Sequence, residues 1–282
     1  MSKNRYPREK DPLVSVLIPT YNRKWLLPRT LNSVLGETYK NLEIILVNDA
    51  GEDVQDIVNQ INDPRIKYFQ NEKNLDLAGS RNVALKQAKG DYICLLDDDD
   101  IHLPMTIEFR LNAMESIRQS GGKDVEVVYT RALQDIWRPH KDSNQQGYVS
   151  VHKQLYWDSP FDSDLILIQN IAPCCCPFFS RRAFEETGYW FDESLTTSED
   201  WDFWVHMSRK FFFWELKLVD CECTFRESGD SLQMTGNRTG YTDHLPYLYK
   251  KWRHFAKNLP WVIEHQNNSV RARGLVPEML GM

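Results

Sequence analysis

The sequence predicts an α/β protein with a mostly parallel central sheet flanked by helices. Short β-rich runs alternate with amphipathic patterns of helical length through the first half of the chain, as in successive βαβ units. Polar clusters follow three of the predicted strands, and one of them is an unbroken run of aspartates at residues 97–100. Ligands bind beyond the carboxyl ends of the strands in such sheets, so these clusters indicate a binding site.

Five strands are predicted in the first half of the chain, with helical patterns between them. The strands cover residues 14–18, 43–47, 66–69, 91–96 and 125–129. The helices cover residues 25–35, 54–61, 78–89 and 104–119, where apolar residues recur at helical spacing. Proline or glycine ends several of these elements, as at Pro19, Gly36 and Gly90.

The second half of the chain has a weaker pattern. Residues 133–164 show little periodicity, and we expect a long irregular segment there. Further on, we expect strands at 177–180 and 211–219 and helices at 181–187 and 201–210. No internal repeat is visible.

Composition and charge limit the classes of function that the protein can have. The chain has 282 residues, 41% of them hydrophobic, and a formal net charge of −6, so the positive footprint of a nucleic-acid-binding protein is not expected. No apolar run is long enough to predict a transmembrane helix. The first residues are polar and basic and lack the apolar region of a secretory signal. These features predict a soluble protein of the cytoplasm.

The six cysteines fit that compartment. Three of them are adjacent, at residues 174–176, which matches no zinc-ligand spacing, and Cys221 and Cys223 stand one residue closer than a C-x-x-C pair. Cys94 lies inside an apolar strand, where it acts as a small hydrophobic residue. We expect all six to be reduced thiols without a disulfide or metal role.

The aspartate run (Asp97, Asp98, Asp99 and Asp100) has two interpretations. Carboxylates that end a buried strand are costly unless a cation binds them, and Mg²⁺ or Mn²⁺ takes carboxylates together with substrate phosphates. Alternatively, the run is an acidic loop in solvent, or the start of a helix, whose N-terminus favours carboxylates. The run by itself leaves both open.

Five ordered segments resemble the inverting family 2 glycosyltransferases of GT-A fold. They are VSVLIPTYNR (14–23), VNDAG (47–51), NLDLAGSRN (74–82), LLDDDD (95–100) with Pro104 after it, and GYWFDE (188–193) with EDWD (199–202) after it. Three positions depart from the family pattern: Asn48 replaces an aspartate, Asp76 stands where glycine is common, and Ser80 replaces an alanine. None of these changes removes a group that the chemistry needs.

The resemblance implies a GT-A fold and a donor site for a nucleotide sugar, UDP- or dTDP-linked. It divides the chain into a leader (1–12), a nucleotide-sugar-binding half (13–130), an acceptor half (131–228) and a helical C-terminal extension (229–282). The implied donor-binding residues are Pro19, Thr20, Tyr21 and Arg23 of the nucleotide loop, Asp49 at the base, Arg81 at the phosphates, and Asp97 and Asp98.

The resemblance also assigns the cation. Asp97 and Asp99 are the implied DxD pair, with Asp99 as the direct ligand of Mn²⁺ or Mg²⁺ and Asp97 at the ribose or a metal-bound water. Asp100 contacts the donor sugar or caps the next helix. Some enzymes of this fold add a C-terminal histidine to the metal, and His244 is the candidate here.

The implied catalytic base is Asp200. Inverting transfer is a single displacement, so one carboxylate must take the proton of the acceptor hydroxyl. Glu199 and Asp202 are alternatives for this role, and both belong, with Trp201, to the implied acceptor side. Acidic residues also favour a helix N-terminus for electrostatic reasons alone.

The resemblance implies that the acceptor is a saccharide, a glycolipid or a glycoprotein in surface-glycan synthesis. Residues 245–259 place apolar side chains on one helical face and basic ones on the other. This helix either packs on the domain or contacts the inner face of a membrane that carries a lipid-linked acceptor. The oligomeric state stays open.

The sequence supports three other functions less well. A nucleotidyltransferase needs a glycine-rich phosphate loop near the N-terminus, which PTYNR at 19–23 does not provide. A dinucleotide-dependent oxidoreductase lacks its G-x-G-x-x-G motif. A non-catalytic sugar-nucleotide-binding module is disfavoured because the aspartate run and Glu199-Asp200 are intact.

Overall fold

The computed structural model describes residues 11–121, 125–140, 147–156, 160–227 and 244–280. Its strands are β1 (Val14–Thr20), β2 (Leu42–Asn48), β3 (Ile66–Gln70), β4 (Tyr92–Leu95), β5 (Ile101–His102), β6 (Val127–His140), β7 (Gly147–Leu155), β8 (Pro177–Ser180) and β9 (Phe213–Arg226). Its helices are α1 (Leu27–Leu35), α2 (Gln55–Ile61), α3 (Asp76–Gln87), α4 (Thr106–Gln119), α5 (Arg181–Thr187), α6 (Glu199–Ser208), α7 (Leu245–Ala256) and α8 (Pro260–Arg271). Short 3₁₀ turns occupy Leu165–Leu167 and Pro277–Leu280.

The strands form one sheet in the order β3-β2-β1-β4-β8-β6-β9-β5, and β7 pairs with β6. β3, β2, β1 and β4 run parallel. β8 is antiparallel to both β4 and β6, while β6 and β9 are parallel to each other. The predicted α/β class with a mostly parallel sheet is therefore confirmed, with antiparallel strands inserted beyond β4.

The parallel half of the sheet is buried on both faces. All residues of β1 and β2 are buried, as expected where helices cover both sides of parallel strands. α1 presents Leu27, Leu31 and Val34 on one side, and all three are fully buried. This packing fixes the carboxyl ends of β1, β2 and β4, which carry the predicted site residues.

The expectation of an irregular segment at 133–164 is wrong for most of its described residues. β6 continues to His140, and β7 returns along it in antiparallel pairing. The alternation of buried apolar and exposed polar residues is interrupted in β6, because Asp135 is buried there. Its carboxylate lies 3.6 Å from Arg29 Nη2 and from Lys153 Nζ. Residues 141–146 and 157–159 lie outside the described residues.

β9 extends to Arg226 rather than ending at residue 219. Its second half contains buried polar residues, among them Asp220 and Glu222, which bind Arg110 and Lys153. Because those partners are distant in sequence, the local pattern does not predict a strand. The predicted boundary at 130/131 falls inside β6, so both halves of the chain share that strand.

The C-terminal helices pack on the domain. α7 buries Leu245, Leu248, Tyr249, Trp252 and Ala256, and the Tyr249 hydroxyl donates to the carbonyl oxygen of Ile168 at 2.9 Å. Of the two alternatives for residues 245–259, the structure has the helix packed on the domain, and Tyr247 and Phe255 stay exposed. Among the described helices, none is long and apolar enough to cross a membrane.

Candidate active site

The aspartate run follows β4 and meets the nucleotide loop at the end of β1. The Thr20 hydroxyl donates to Asp98 Oδ2 at 2.7 Å. Arg23 Nη1 donates to Asp98 Oδ1 at 3.0 Å and to Asp99 Oδ2 at 3.3 Å. Two segments that are 75 residues apart in sequence are therefore joined by charge-assisted hydrogen bonds, as predicted from adjacent strand ends.

The other side of the run is held by β9 and α1, which the sequence analysis did not assign to the site. Arg226 Nη1 donates to Asp99 Oδ2 at 2.8 Å, and the backbone N–H of Thr224 donates to Asp100 Oδ1 at 2.9 Å. The Thr30 hydroxyl lies 2.8 Å from the carbonyl oxygens of Asp98 and Asp100. These contacts fix the backbone of the run, which leaves little freedom to its carboxylates.

Burial makes the run electrostatically costly. Burial raises the pKa of Asp98 to about 6, although the charge of Arg23 opposes the shift. The pKa of Asp100 is raised well above its ordinary value by burial and by the neighbouring charges of Asp99 and Asp97. Burial and the mutual repulsion of the carboxylates therefore disfavour the fully ionised run.

Arg81 links the run to a second acidic pair. Its side chain is 1% exposed, and Nη2 donates to Asp97 Oδ1 at 2.7 Å and to Cys174 Sγ at 2.9 Å. Nη1 of the same guanidinium donates to Glu199 Oε1. The planar fork of arginine suits such a bridge between two carboxylates.

Glu199 and Asp200 begin α6, where acidic residues complement the helix dipole. Asp200 Oδ2 accepts from Asn170 Nδ2 at 3.1 Å, and Oδ1 accepts from the backbone N–H of Trp201 at 2.7 Å. Burial raises the pKa of Glu199 to about 7 and also raises the pKa of Asp200. Asp200 is the more exposed of the two carboxylates.

Both acidic groups line one cavity of about 640 Å³. The predicted site residues on the cavity wall are Arg23, Arg81, Asp97, Asp99, Glu199, Asp200 and Trp201. α8 adds His265 and Ser269, and Arg273 follows the end of that helix; no motif of the sequence indicates these three residues. Asn170, Cys174 and Asp100 also contribute.

Among the residues predicted for the acceptor side and the metal, Asp202 and His244 are not on the wall of this cavity. Asp202 is fully buried and accepts hydrogen bonds from Tyr189 at 2.8 Å, Lys251 at 3.0 Å and Trp252 at 2.8 Å, so it ties α6 to α7. His244 Nε2 lies 2.9 Å from the Thr196 hydroxyl and is absent from the cavity wall.

The predicted base pocket lies beside the cavity. Asp49 is buried, its Oδ1 accepts from Asn71 Nδ2 and from the backbone N–H of Leu75, both at 2.8 Å, and its backbone N–H donates to the Thr20 carbonyl oxygen at 2.9 Å. Pro19 is buried and Tyr21 is 47% exposed. Asp49, Pro19, Thr20 and Tyr21 do not line the 640 Å³ cavity.

The turn after β2 explains one departure from the family pattern. Asn48 Oδ1 accepts from the backbone N–H of Gly51 at 2.9 Å, while its Nδ2 donates to the Glu52 carbonyl oxygen at 2.9 Å. An aspartate could not make the second bond, so the amide here shapes the turn. A Cβ on Gly51 would lie 2.8 Å from the Asn22 backbone nitrogen, so the turn requires glycine at this position.

The carboxylate oxygens at the cavity fit a divalent cation as ligands. Five carboxylates line the cavity, those of Asp97, Asp99, Asp100, Glu199 and Asp200. Arg23 and Arg226 pair with Asp99, and Arg81 pairs with Asp97 and Glu199. Oxygen ligands of this kind suit hard cations such as Mg²⁺ and Mn²⁺. Asp97, whose side chain is 30% exposed, and Asp99 both face the cavity.

The model of the family described as glycosyl transferase family 2 matches residues 15–188, more than half of the chain. The chain belongs to glycosyl transferase family 2. The family resemblance predicted from the sequence motifs is thereby confirmed.

Named relatives of this family 2 protein include bacterial enzymes. A Rickettsia typhi protein named as an uncharacterized glycosyltransferase is 31% identical over 210 residues, 74% of this chain and 61% of that protein. The chain thus spans less than two thirds of that relative. WfaP of Escherichia coli, named as a UDP-Glc:α-D-GlcNAc-diphosphoundecaprenol β-1,3-glucosyltransferase, is 44% identical over 105 residues, 37% of this chain and 42% of that one.

Solved structures share the fold of the family 2 protein. Residues 1–349 of Staphylococcus aureus TarS, in complex with UDP-GlcNAc, have a TM-score of 0.60 at 19% identity and cover 83% of this chain and 65% of that one. The mannosyltransferase PcManGT of Pyrobaculum calidifontis, in complex with GDP-Man and Mn²⁺, has a TM-score of 0.61 at 16% identity and covers 94% of this chain and 76% of that one. The predicted GT-A fold is confirmed by this similarity.

Proposed function

We propose that the protein is a metal-dependent inverting glycosyltransferase, which moves a sugar from a nucleoside-diphosphate sugar to an acceptor hydroxyl. The observation that carries the proposal is that Asp97 and Asp99 line the same cavity as Asp200. Asp97 and Asp99 suit a cation with a bound diphosphate, and Asp200 suits proton transfer from an acceptor.

Asp97 and Asp99 would hold Mn²⁺ or Mg²⁺. Bound there, the cation would supply Lewis-acid stabilisation of the negative charge that grows on the departing diphosphate. Arg23 lies 3.3 Å from Asp99, and Arg81 lies 2.7 Å from Asp97, so both add fixed positive charge on the same side. The burial of the run and the mutual repulsion of its carboxylates support a cation at this place.

Asp200 is the base in this proposal. It takes the proton of the acceptor hydroxyl while that oxygen attacks the anomeric carbon opposite the diphosphate, which inverts the configuration. The raised pKa makes Asp200 a stronger base than an ordinary aspartate. Glu199 is less suited because it is buried and accepts a hydrogen bond from Arg81.

The donor base lies between the ends of β1 and β2. The described hydrogen bonds of Asp49 engage Oδ1, and we assign Oδ2 to the ring N–H of uracil or thymine. Pro19, Thr20 and the half-exposed Tyr21 would line the same pocket. The UDP-GlcNAc bound by TarS supports a uridine donor, while the GDP-Man bound by PcManGT shows that the fold accepts another base.

The acceptor is a hydroxyl of a saccharide, a glycolipid or a glycoprotein. The named acceptor of WfaP is a sugar on a lipid diphosphate, which supports surface-glycan synthesis as the context. Trp201, His265 of α8 and Arg273 just after α8 line the cavity with Asp200 and would contact the acceptor.

A donor-turnover assay tests the proposal. The protein is incubated with UDP-sugars in Mn²⁺ or in EDTA, and the released nucleotide is identified. We expect Mn²⁺-dependent release of UDP from the wild type and little release from Asp200→Asn. Release of pyrophosphate would indicate a nucleotidyltransferase, and donor binding without turnover would indicate a non-catalytic module; either result would overturn the proposal.

A further inference from the structure

Four buried thiols lie together beneath the aspartate run. Cys175 Sγ is 3.4 Å from Cys221 Sγ and 3.3 Å from Cys223 Sγ, and Cys176 Sγ is 3.6 Å from Cys221 Sγ. All four cysteines are reduced and buried. The sequence analysis expected no metal role for them because their spacing matches no zinc motif, but the fold joins two separate pairs.

The local backbone brings the pair Cys175 and Cys176 close to the pair Cys221 and Cys223. The backbone N–H of Cys176 donates to the Pro173 carbonyl oxygen at 2.9 Å, and this tight turn brings Cys175 and Cys176 within reach of β9. Cys221 and Cys223 are two residues apart on β9, so they face the same side of that strand. A sequence spacing cannot show this arrangement, because the two pairs are 45–48 residues apart along the chain.

The distances suit a cation held by sulfur. The Sγ atoms of Cys175, Cys176 and Cys221 all lie within 4.8 Å of one another. Thiolates that share a tetrahedral Zn²⁺ at bonds of about 2.3 Å have sulfurs roughly 3.8 Å apart, so only small shifts separate these thiols from a metal geometry. Soft sulfur ligands select Zn²⁺ and Cu⁺ over the hard cations that carboxylates prefer.

Nearby positive charge would compensate extra thiolate charge. Arg110 is fully buried, and its Nη2 lies 3.8 Å from Cys221 Sγ. Its Nη1 is buried and has no hydrogen-bond partner among the described residues. A cluster of thiolates around one divalent cation is anionic. Arg110 also pairs with Asp220 at 2.7 Å, so its positive charge is shared between that carboxylate and the cluster.

We propose that Cys175, Cys176 and Cys221 bind a thiophilic cation such as Zn²⁺. Cys223, whose Sγ is 3.3 Å from that of Cys175, is the neighbouring fourth thiol. Each thiol releases its proton to solvent when its sulfur–metal bond forms. Cys223 also lines the large cavity, which provides the path of entry. The cation would fasten the turn at residues 174–176 to β9.

This site is separate in chemistry from the carboxylate site. Asp100 contributes a carboxylate oxygen within 4.8 Å of Cys175 and Cys223, so the two sites are neighbours. Oxygen ligands and sulfur ligands are nevertheless distinguished by spectroscopy, because only a thiolate gives a sulfur-to-cobalt charge-transfer band. The proposal therefore does not depend on transferase activity.

Co²⁺ substitution tests the proposal. The reduced, metal-free protein is titrated with Co²⁺, and the near-ultraviolet charge-transfer band is recorded and then reversed with Zn²⁺. We expect one equivalent of Co²⁺ to give the band in the wild type and in Cys94→Ser, whose thiol lies in β4 outside the cluster. We expect Cys221→Ser to lose it while its circular dichroism stays unchanged.

A second measurement covers the case in which the variant fails to fold. Thiol titration of the native wild-type protein should find the thiols of Cys175, Cys176 and Cys221 protected by Zn²⁺ and released by a chelator. A wild-type protein without the charge-transfer band, or with thiol reactivity that Zn²⁺ does not change, would overturn the proposal. A disulfide among these cysteines in protein alkylated at purification would overturn it as well.

Discussion

Arg226 Nη1 donates to Asp99 Oδ2 at 2.8 Å, although the two residues are 127 positions apart in the sequence. The arginine is fully buried at the end of β9. Asp99 also accepts from Arg23 at 3.3 Å. Two guanidiniums therefore surround the carboxylate that we assign to the cation, and any bound cation must share it with them.

Replacing Arg226 tests whether Asp99 is a metal ligand. In Arg226→Met the buried carboxylate loses a partner, so we expect a lower melting temperature in EDTA. Mn²⁺ would then supply the missing positive charge, so its stabilising effect should exceed that on the wild type. Scanning fluorimetry across a Mn²⁺ titration measures both effects.

The matched control is Arg131→Met. Arg131 pairs with Glu215 at 2.7 Å, and neither residue lines the cavity. This variant should show the wild-type response to Mn²⁺. An equal response in all three proteins would contradict the assignment of Asp99.

Asp200→Asn should bind the donor normally and lose transfer. General-base assistance is worth about 10²–10⁴-fold, and we expect a fall in kcat of that order. Asp202→Asn is the control on the same helix, because Asp202 faces α7 rather than the cavity. It should lower stability and keep kcat, and the reverse outcome would transfer the role of base to Asp202.

The pH profile of kcat/KM should show the raised pKa of Asp200. Burial is its main cause, and the charge of Arg81 only partly opposes it. A base acts when deprotonated, so activity is present above this pKa and is lost as the pH falls through it. We expect the acidic limb at a higher pH than the value of about 3.9 for an ordinary aspartate. A limb at the ordinary value would argue against this carboxylate.

The pair between α4 and β9 should dominate stability outside the site. Arg110 donates to both oxygens of Asp220, at 2.8 and 2.7 Å, and is fully buried. Arg110→Met leaves a buried carboxylate without its partner, so we expect a loss of roughly 3–5 kcal/mol in the free energy of unfolding. Urea denaturation measures the loss.

An exposed pair provides the comparison. Arg138 pairs with Glu227 at 2.6 Å, and the side chain of Arg138 is 60% exposed. Arg138→Met should leave the urea midpoint unchanged within error, because surface ion pairs contribute little. Equal losses in the two variants would show that burial does not set the strength of these pairs.

Local patterns predict the donor half of the molecule and much of its site. β1, β2 and β4 are apolar runs followed by polar residues, so their parallel packing brings Thr20 to Asp98, as the predicted topology requires. Arg81 was likewise placed at the site by its motif, and it lies 2.7 Å from Asp97.

The missed features depend on partners that are distant in sequence. The second half of β9 has a polar sequence because it contains Asp220 and Glu222. These carboxylates are buried because Arg110 and Lys153 pair with them. Arg226 belongs to the site only once that strand is in place. The thiol cluster and the α8 wall of the cavity arise in the same way, from segments that meet only in three dimensions.

The central claim is that a cation binds at the aspartate run. Calorimetric titration of UDP into the wild type and into Asp99→Asn, each in Mn²⁺ and in EDTA, tests it most directly. We predict that the wild type binds UDP at least tenfold more tightly with Mn²⁺, and that Asp99→Asn loses this gain while keeping its fold. Equal UDP affinity of the wild type in Mn²⁺ and in EDTA would contradict a cation at the aspartate run.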